Sequence, residues 1–195
     1  ILDNKLNTNS IVVGKDFKFG KNRQGDVNFL IGHFGKQNVH VLDDYFVKDS
    51  KISSTLIKST ISEGKLDLAN QYLGYSFKLK GKVVHGNRMG HKIGFPTANI
   101  NVDTDLVTPK FGVYEVVVTK EEQKYKGLMN IGNRPTVSND LILSYEVHIL
   151  DFDEDIYDSL LEVEFSSFIR DEVKFDNIQQ LKNQIAIDIK SIKNK

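Results

Sequence analysis

Hydrophobic positions along the chain follow two regimes. Up to residue 74, short apolar runs alternate with segments of helical period. "SIVVG" has the compact apolar run of a buried strand at Ile11 to Val13. "GDVNFLIGHF" predicts a helix entered near Asp26, and "NVHVLDD" alternates as a second strand. In "DSKISSTLIKSTISEGKLDLANQYLG", Ser53 or Ser54 is a natural N-cap. Ile57, Ile61, Leu66, Leu68, Ala69 and Leu73 supply apolar helical faces, interrupted at Gly64. Strands alternating with helices imply an α/β layer.

After Gly74 the pattern changes. "FKLKGKVV", "FGVYEVVVTK", "YKGLMNIG", "LILSYEVHIL" and "LLEVEFSSFI" are β-rich runs separated by Gly, Pro, Asn and Asp turns. Closely spaced strands of this kind predict a sandwich or closed barrel. The last segment, "FDNIQQLKNQIAIDIKSIK", predicts a helix with Ile178, Leu181, Ile185, Ile189 and Ile192 on one face. Asp176 and Gln179 stand at capping-box spacing before it. The change of regime puts a boundary near residues 74–78, giving domains 1–74 and 75–195, and no internal repeat is present.

Composition narrows the function classes. Lysine plus arginine equals aspartate plus glutamate at 26 each, so no net field draws the chain to nucleic acid or an acidic membrane. Without cysteine, disulfides, thiolate zinc sites and cysteine nucleophiles are excluded. No apolar run approaches the roughly 18 residues of a membrane span and no signal-peptide pattern opens the chain, so the expected setting is cytoplasmic. Ile1 is no initiator methionine, and the opening reads like the end of a helix, so further residues are expected upstream.

The chemistry concentrates in "GKVVHGNRMGHKIGFPTANI", residues 81–100. Gly81, Gly86, Gly90 and Gly94 let the backbone turn sharply and bring amides close to an anion. No Walker A loop, dinucleotide fingerprint or protein-kinase catalytic loop is present. Taken alone, the glycines and Pro96 make an ordinary surface loop. Thr97 and Asn99, two apart, share one face of an extended segment. Their hydroxyl and amide oxygens are neutral hard ligands of the kind Mg2+ accepts when nucleotide phosphates bring the charge. In "LILSYEVHIL", Leu141, Leu143, Tyr145, Val147 and Ile149 occupy one face and Ser144, Glu146 and His148 the other. A carboxylate there is either a solvated outer residue or, facing a cleft, a general base. Ser53, Ser54 and Thr55 at a helix N-terminus either cap the helix or hold phosphate.

These motifs in order, with "FGVYEVVV", "GLMNIGNRPT", "YEVHILDF" and "FIRDEVKFDNIQQLKNQI", closely resemble the riboflavin kinase family throughout residues 75–190. The resemblance implies a six-stranded antiparallel β-barrel with a C-terminal helix, and transfer of the ATP γ-phosphoryl group to riboflavin, giving FMN. It makes Glu146 the catalytic residue, Gly86, Gly90, His91, Gly94 and Thr97 the ATP site, and Thr97 and Asn99 the metal position. His85, Arg88 and Lys92 are further partners for phosphate charge, and Asn133 and Arg134 weaker site candidates. Arg170, Phe175 and Leu181 fall where the family binds flavin.

Upstream, "IVVGKDFKFGKNRQGD" and "ISSTLIKSTISEGKLDLANQYLG" resemble the later part of the FMN adenylyltransferase domain of bacterial bifunctional FAD synthetases, an α/β nucleotidyltransferase. This resemblance implies nucleotide or phosphate roles for Gly14, Asp16, Phe17, Ser53, Ser54 and Thr55. The serine-threonine motif ends in Lys58 where the family usually has arginine, a point charge in place of a planar fork. The family's early Gly-Phe-Asp-Gly and His-x-Gly-His motifs do not occur in the chain. FAD synthesis by this chain is therefore expected to be reduced or absent. The contrasting hypothesis is a non-catalytic flavin- or nucleotide-binding barrel. An oligonucleotide-binding barrel lacks its expected basic stripe.

Overall fold

The computed structural model describes residues 5–86, 89–102, 106–135 and 141–194, and the chain divides into two compact units at Ile52/Ser53.

In the first unit, β1 (Ile11–Gly14) pairs in parallel with β2 (Val39–Leu42), with Ile11 opposite Val39. Parallel strands need a crossover, and α1 (Val27–Phe34) supplies it. Asp26 caps α1 as expected, its carboxylate accepting from the Phe29 amide at 3.0 Å. That hydrogen bond, with Lys18 nearby, holds the Asp26 carboxyl below its usual range. A small hairpin of β3 (Phe46–Val47) and β4 (Ser50–Lys51) completes the unit. The α/β expectation holds here on one crossover only.

The second unit opens with α2 (Ser54–Ser62) and α3 (Leu66–Leu73), separated at Gly64, whose φ of +78° ends the first helix as the sequence break predicts. Both helices bury their apolar face in the same core as the strands that follow: Ile61, Leu66 and Ala69 belong to it. Asn70 adds a polar tie, donating to Phe165 O at 3.2 Å and accepting from the Phe77 amide at 2.6 Å. Packing therefore starts the unit at Ser53, although secondary structure changes character at residues 74–78. Periodicity reports the element type, and it does not report which core an element joins.

The strands β5 (Lys78–Val84), β6 (Ala98–Val102), β7 (Gly112–Lys120), β8 (Gln123–Pro135), β9 (Leu141–Ile149) and β10 (Leu160–Arg170) close into a barrel in the order β10-β5-β6-β9-β8-β7, every pair antiparallel. Closure removes sheet edges and encloses a core. Alternate residues fill it: Leu79, Val83, Ile100, Tyr114, Val116, Val118, Met129, Ile131, Tyr145, Val147, Val163 and Phe165. The four-residue helix α4 (Met89–Lys92) sits between β5 and β6.

The terminal helix α5 (Ile178–Lys193) lies on the outside of the barrel, where Ile192 and Ile189 join Val113, Leu128 and Leu150 in a second apolar cluster. Its start is one residue later than the spacing predicts. Asn177 is the N-cap, accepting from the Gln180 amide at 2.9 Å, while the Gln180 side chain accepts from the Asp176 amide at 3.1 Å. Gln179 instead donates to Asn183. Ile178, expected on the buried face, is exposed because it precedes the part of the helix that meets the barrel. No described helix is long and apolar enough to cross a membrane.

Candidate active site

The alternation along β9 turns Tyr145, Val147 and Ile149 into the barrel core and Ser144, Glu146 and His148 to the outside. Register then assembles a row across five strands. Glu146 stands opposite Asn99 of β6 on one side and Asn130 of β8 on the other. Asn130 pairs with Val113 of β7, and Val113 with Arg170 of β10. At the usual strand spacing this row, Asn99–Glu146–Asn130–Val113–Arg170, runs roughly 19 Å. A register shift between Phe168 and Arg170 gives the row its last member. Without that bulge Ile169 would stand opposite Val113.

Both Glu146 oxygens are addressed by hydroxyls: Ser144 Oγ donates to Oε1 at 3.2 Å and Thr97 Oγ1 to Oε2 at 3.4 Å. These are long contacts that hold the carboxylate loosely. His148 Nδ1 lies 2.7 Å from the Pro96 carbonyl oxygen, which only accepts, so Nδ1 carries the proton. The ring thereby anchors the residue that precedes Thr97, and it meets Phe95 edge-on.

Glycine spacing has a steric cause here. A Cβ on Gly86 would fall on the Asn99 carboxamide, and one on Gly90 would fall on the Phe95 carbonyl oxygen, 3.1 Å from Thr97 Oγ1. The loop between β5 and β6 thus lies directly against the two proposed metal ligands. Gly94 turns the chain out of α4. His91 and Lys92 are exposed on α4, and His85 lies against Tyr157. Arg88 lies outside the described residues, as does the side chain of Arg134. Asn133 is exposed on β8.

A cavity of about 290 Å³ opens over this surface. Gly90, Thr97, Glu146, Arg170, Phe175 and Leu181 all line it, so residues singled out from three separate stretches of sequence meet in one place. Gly86, His91, Gly94 and Asn99 are not among its walls. Asn130 and Asp188 are, and neither stood out in the sequence. Asn130 was detectable as a polar outward residue between inward Met129 and Ile131, and Asp188 as a carboxylate within an apolar helix face. A wider, more open hollow of about 650 Å³ near Ser62, Thr108 and Phe111 contains no predicted site residue, and its cation Lys110 is tied to Asp171 at 2.6 Å.

The remaining predicted positions lie on the first unit or on α2. Gly14 ends β1, Asp16 pairs with Lys51 at 3.3 Å, and Phe17 stacks on Phe19. Ser53 Oγ accepts from the Leu56 amide at 3.2 Å as the α2 N-cap, while Ser54 and Thr55 are exposed in the first turn.

Residues 73–195 match the family model described as riboflavin kinase. The chain belongs to the riboflavin kinase family. Residues 1–56 match the FAD synthetase model. Two relatives, each described as a bifunctional riboflavin kinase/FMN adenylyltransferase, come from Listeria monocytogenes and Haemophilus influenzae. The first is 40% identical over 94% of this chain and 59% of the relative, the second 40% identical over 98% and 63%. The chain therefore spans about three fifths of the length of these curated relatives. A solved structure described as a macrolide-efflux protein from Streptococcus pneumoniae superposes with a TM-score of 0.83 at 34% identity, covering 93% of this chain and 59% of that one. The family's barrel with a C-terminal helix, expected from the motifs, is the architecture found.

Proposed function

We propose that this chain is a riboflavin kinase, transferring the γ-phosphoryl group of ATP to the ribityl 5′-hydroxyl of riboflavin to give FMN and ADP. One observation carries the reading: Glu146 and Thr97, 3.4 Å apart, line a single cavity with Arg170, Phe175 and Leu181. A base, an oxygen ligand and an aromatic wall are what such a transfer asks of a protein, since the reaction is mainly a matter of position and charge.

The ribityl oxygen bonds to the γ-phosphorus as the bond to the β,γ-bridging oxygen breaks and ADP leaves with that electron pair. Glu146 takes the hydroxyl proton. Ser144 and Thr97 keep the carboxylate turned to the cavity. Thr97 and Asn99 offer a hydroxyl and a carboxamide oxygen, a hard-oxygen set that fits Mg2+. They bring no charge, so they would hold the ion together with the nucleotide phosphates, whose negative charge it would neutralise. Phe175, Leu181 and Arg170 cover the flavin. The cavity is at the lower end of small-molecule sites, about 300–1,000 Å³, so it suits one substrate. The nucleotide then lies along the loop holding Gly86, Gly90, His91 and Gly94.

Adenylyltransferase nucleotide or phosphate roles are proposed for Gly14, Asp16 and Phe17 in the first unit and, separately, for Ser53, Ser54 and Thr55 in the second. Asp16 and Ser53 are already engaged by Lys51 and the Leu56 amide. A cytoplasmic setting suits the reaction. The test is incubation with riboflavin, ATP and Mg2+ followed by separation of the flavins. FMN supports the reading. Riboflavin binding without FMN replaces it with a non-catalytic flavin-binding barrel.

A further inference from the structure

Asp188 projects from the middle of α5 and is 3% exposed. A buried carboxylate persists only when its charge is answered, and here the answer is Arg170. Arg170 Nε donates to both oxygens at 3.2 and 2.9 Å and its Nη2 lies 2.8 Å from Oδ2, a side-on bidentate pair. Gln184 donates to Oδ1 at 2.8 Å, one helical turn before Asp188. Together these hold the carboxylate in one orientation.

The arginine's remaining donors follow from its planar fork. Of five N–H groups, Nε–H and one on Nη2 go to Asp188, and one on Nη1 goes to the Asp171 carbonyl oxygen at 3.0 Å. One N–H on each terminal nitrogen is left for a further acceptor. Arg170 lines the cavity, with its Cζ 5.9 Å from the Phe175 ring centroid. Two remaining donors on one planar group match two neighbouring acceptors.

We propose that Asp188 is the positioning residue of this site, fixing Arg170 so that its two remaining donors meet neighbouring acceptors of the flavin substrate. The inference rests on the riboflavin kinase reading. It gives α5 a role beyond covering the barrel, by carrying the anchor of a cavity residue.

The test is a double-mutant cycle on the whole chain, with Asp188→Asn, Arg170→Met and the pair, read by riboflavin binding through quenching of flavin fluorescence. Thermal melts run alongside. Asp188→Asn is expected to weaken riboflavin binding roughly 10- to 100-fold, the range of one or two charge-assisted hydrogen bonds. In the Arg170→Met background the same change is expected to weaken it less than about twofold. Asp188→Glu, which keeps the charge, is expected to recover part of the loss. A purely structural Asp188 would weaken binding equally in both backgrounds, and that result overturns the proposal. If Asp188→Asn fails to fold, the pair, which removes both buried charges, is compared with Arg170→Met alone, and further weakening in the pair also overturns it. A parent chain that binds no riboflavin sinks the functional reading as well. A parent that binds, with an Asp188→Asn variant of equal affinity, sinks only the positioning role.

Discussion

Replacing Glu146 with glutamine separates charge and basicity from shape. The side chain keeps its size, and each long hydroxyl contact, 3.2 Å from Ser144 and 3.4 Å from Thr97, can rotate to suit an amide. Both hydroxyls can donate to the amide oxygen or accept from its nitrogen. Fold stability should therefore change by no more than about 1 kcal/mol. The chemical step should suffer far more. A positioned general base contributes about 10²- to 10⁴-fold, or roughly 3 to 5.5 kcal/mol of barrier at 1.36 kcal/mol per tenfold. The assay is FMN formation at saturating riboflavin and ATP, with riboflavin affinity and the melting midpoint measured on the same protein. A kcat loss of two to four decades with affinity and midpoint preserved is expected. A well-folded Glu146→Gln protein keeping more than a tenth of the parent kcat would refute the assignment of the base.

Other perturbations probe the neighbouring residues. Thr97→Ser should keep FMN formation within about threefold, whereas Thr97→Val should raise the Mg2+ concentration for half-maximal rate about tenfold or more, read from magnesium titrations. Gly90→Ala places a methyl against the Phe95 carbonyl and 3.1 Å from Thr97 Oγ1. It should lower kcat at least tenfold while shifting stability by about 2 kcal/mol or less in a denaturant melt, because the loop can lift without disturbing the barrel. At alkaline pH, burial raises the hydroxyl pKa of Tyr114, and it raises that of Tyr145 against a smaller opposing effect from Thr108. Groups whose folded pKa is raised contribute stability that is fully present below the unfolded value of about 10 and is lost as pH rises through the folded values. Denaturant melts should show stability falling above about pH 10, with a shallower fall in Tyr114→Phe.

The sequence made visible much of what depends on local periodicity. Alternation in "LILSYEVHIL" separates Glu146 from the core residues, and the Gly64 break and the Asp26 cap are found where the pattern puts them. What it could not show depends on pairing between distant strands. Asn130 becomes a site neighbour only because β8 lies between β9 and β7. Arg170 joins the row through a bulge in β10 that no composition rule announces. Asp188 looks like a polar interruption of an amphipathic helix until the arginine is placed against it. Packing is hidden for a related reason: α2 and α3 have the sequence character of the α/β stretch but bury their apolar face in the barrel core.

The barrel's hydrogen bonding is uneven in a way that bears on catalysis. Strand β9 pairs with β8 continuously from Ile149 opposite Gly127 to Leu141 opposite Pro135. On its other side, among the described residues, it pairs with β6 through Ala98 and Asn99. Among the described residues, the seam with the fewest pairs therefore runs between the proposed metal ligands and the proposed base. Local opening costs least where few hydrogen bonds must break together. On the riboflavin kinase reading, β6 can then part from Glu146 without unfolding the remaining strands, giving a nucleotide a way in. Amide hydrogen exchange tests this: the amides pairing β6 with β9 should exchange at least tenfold faster than those pairing β7 with β8, and ATP with Mg2+ should narrow the gap. Equal protection at both seams would mean that the barrel opens only as a whole and would refute entry through this seam.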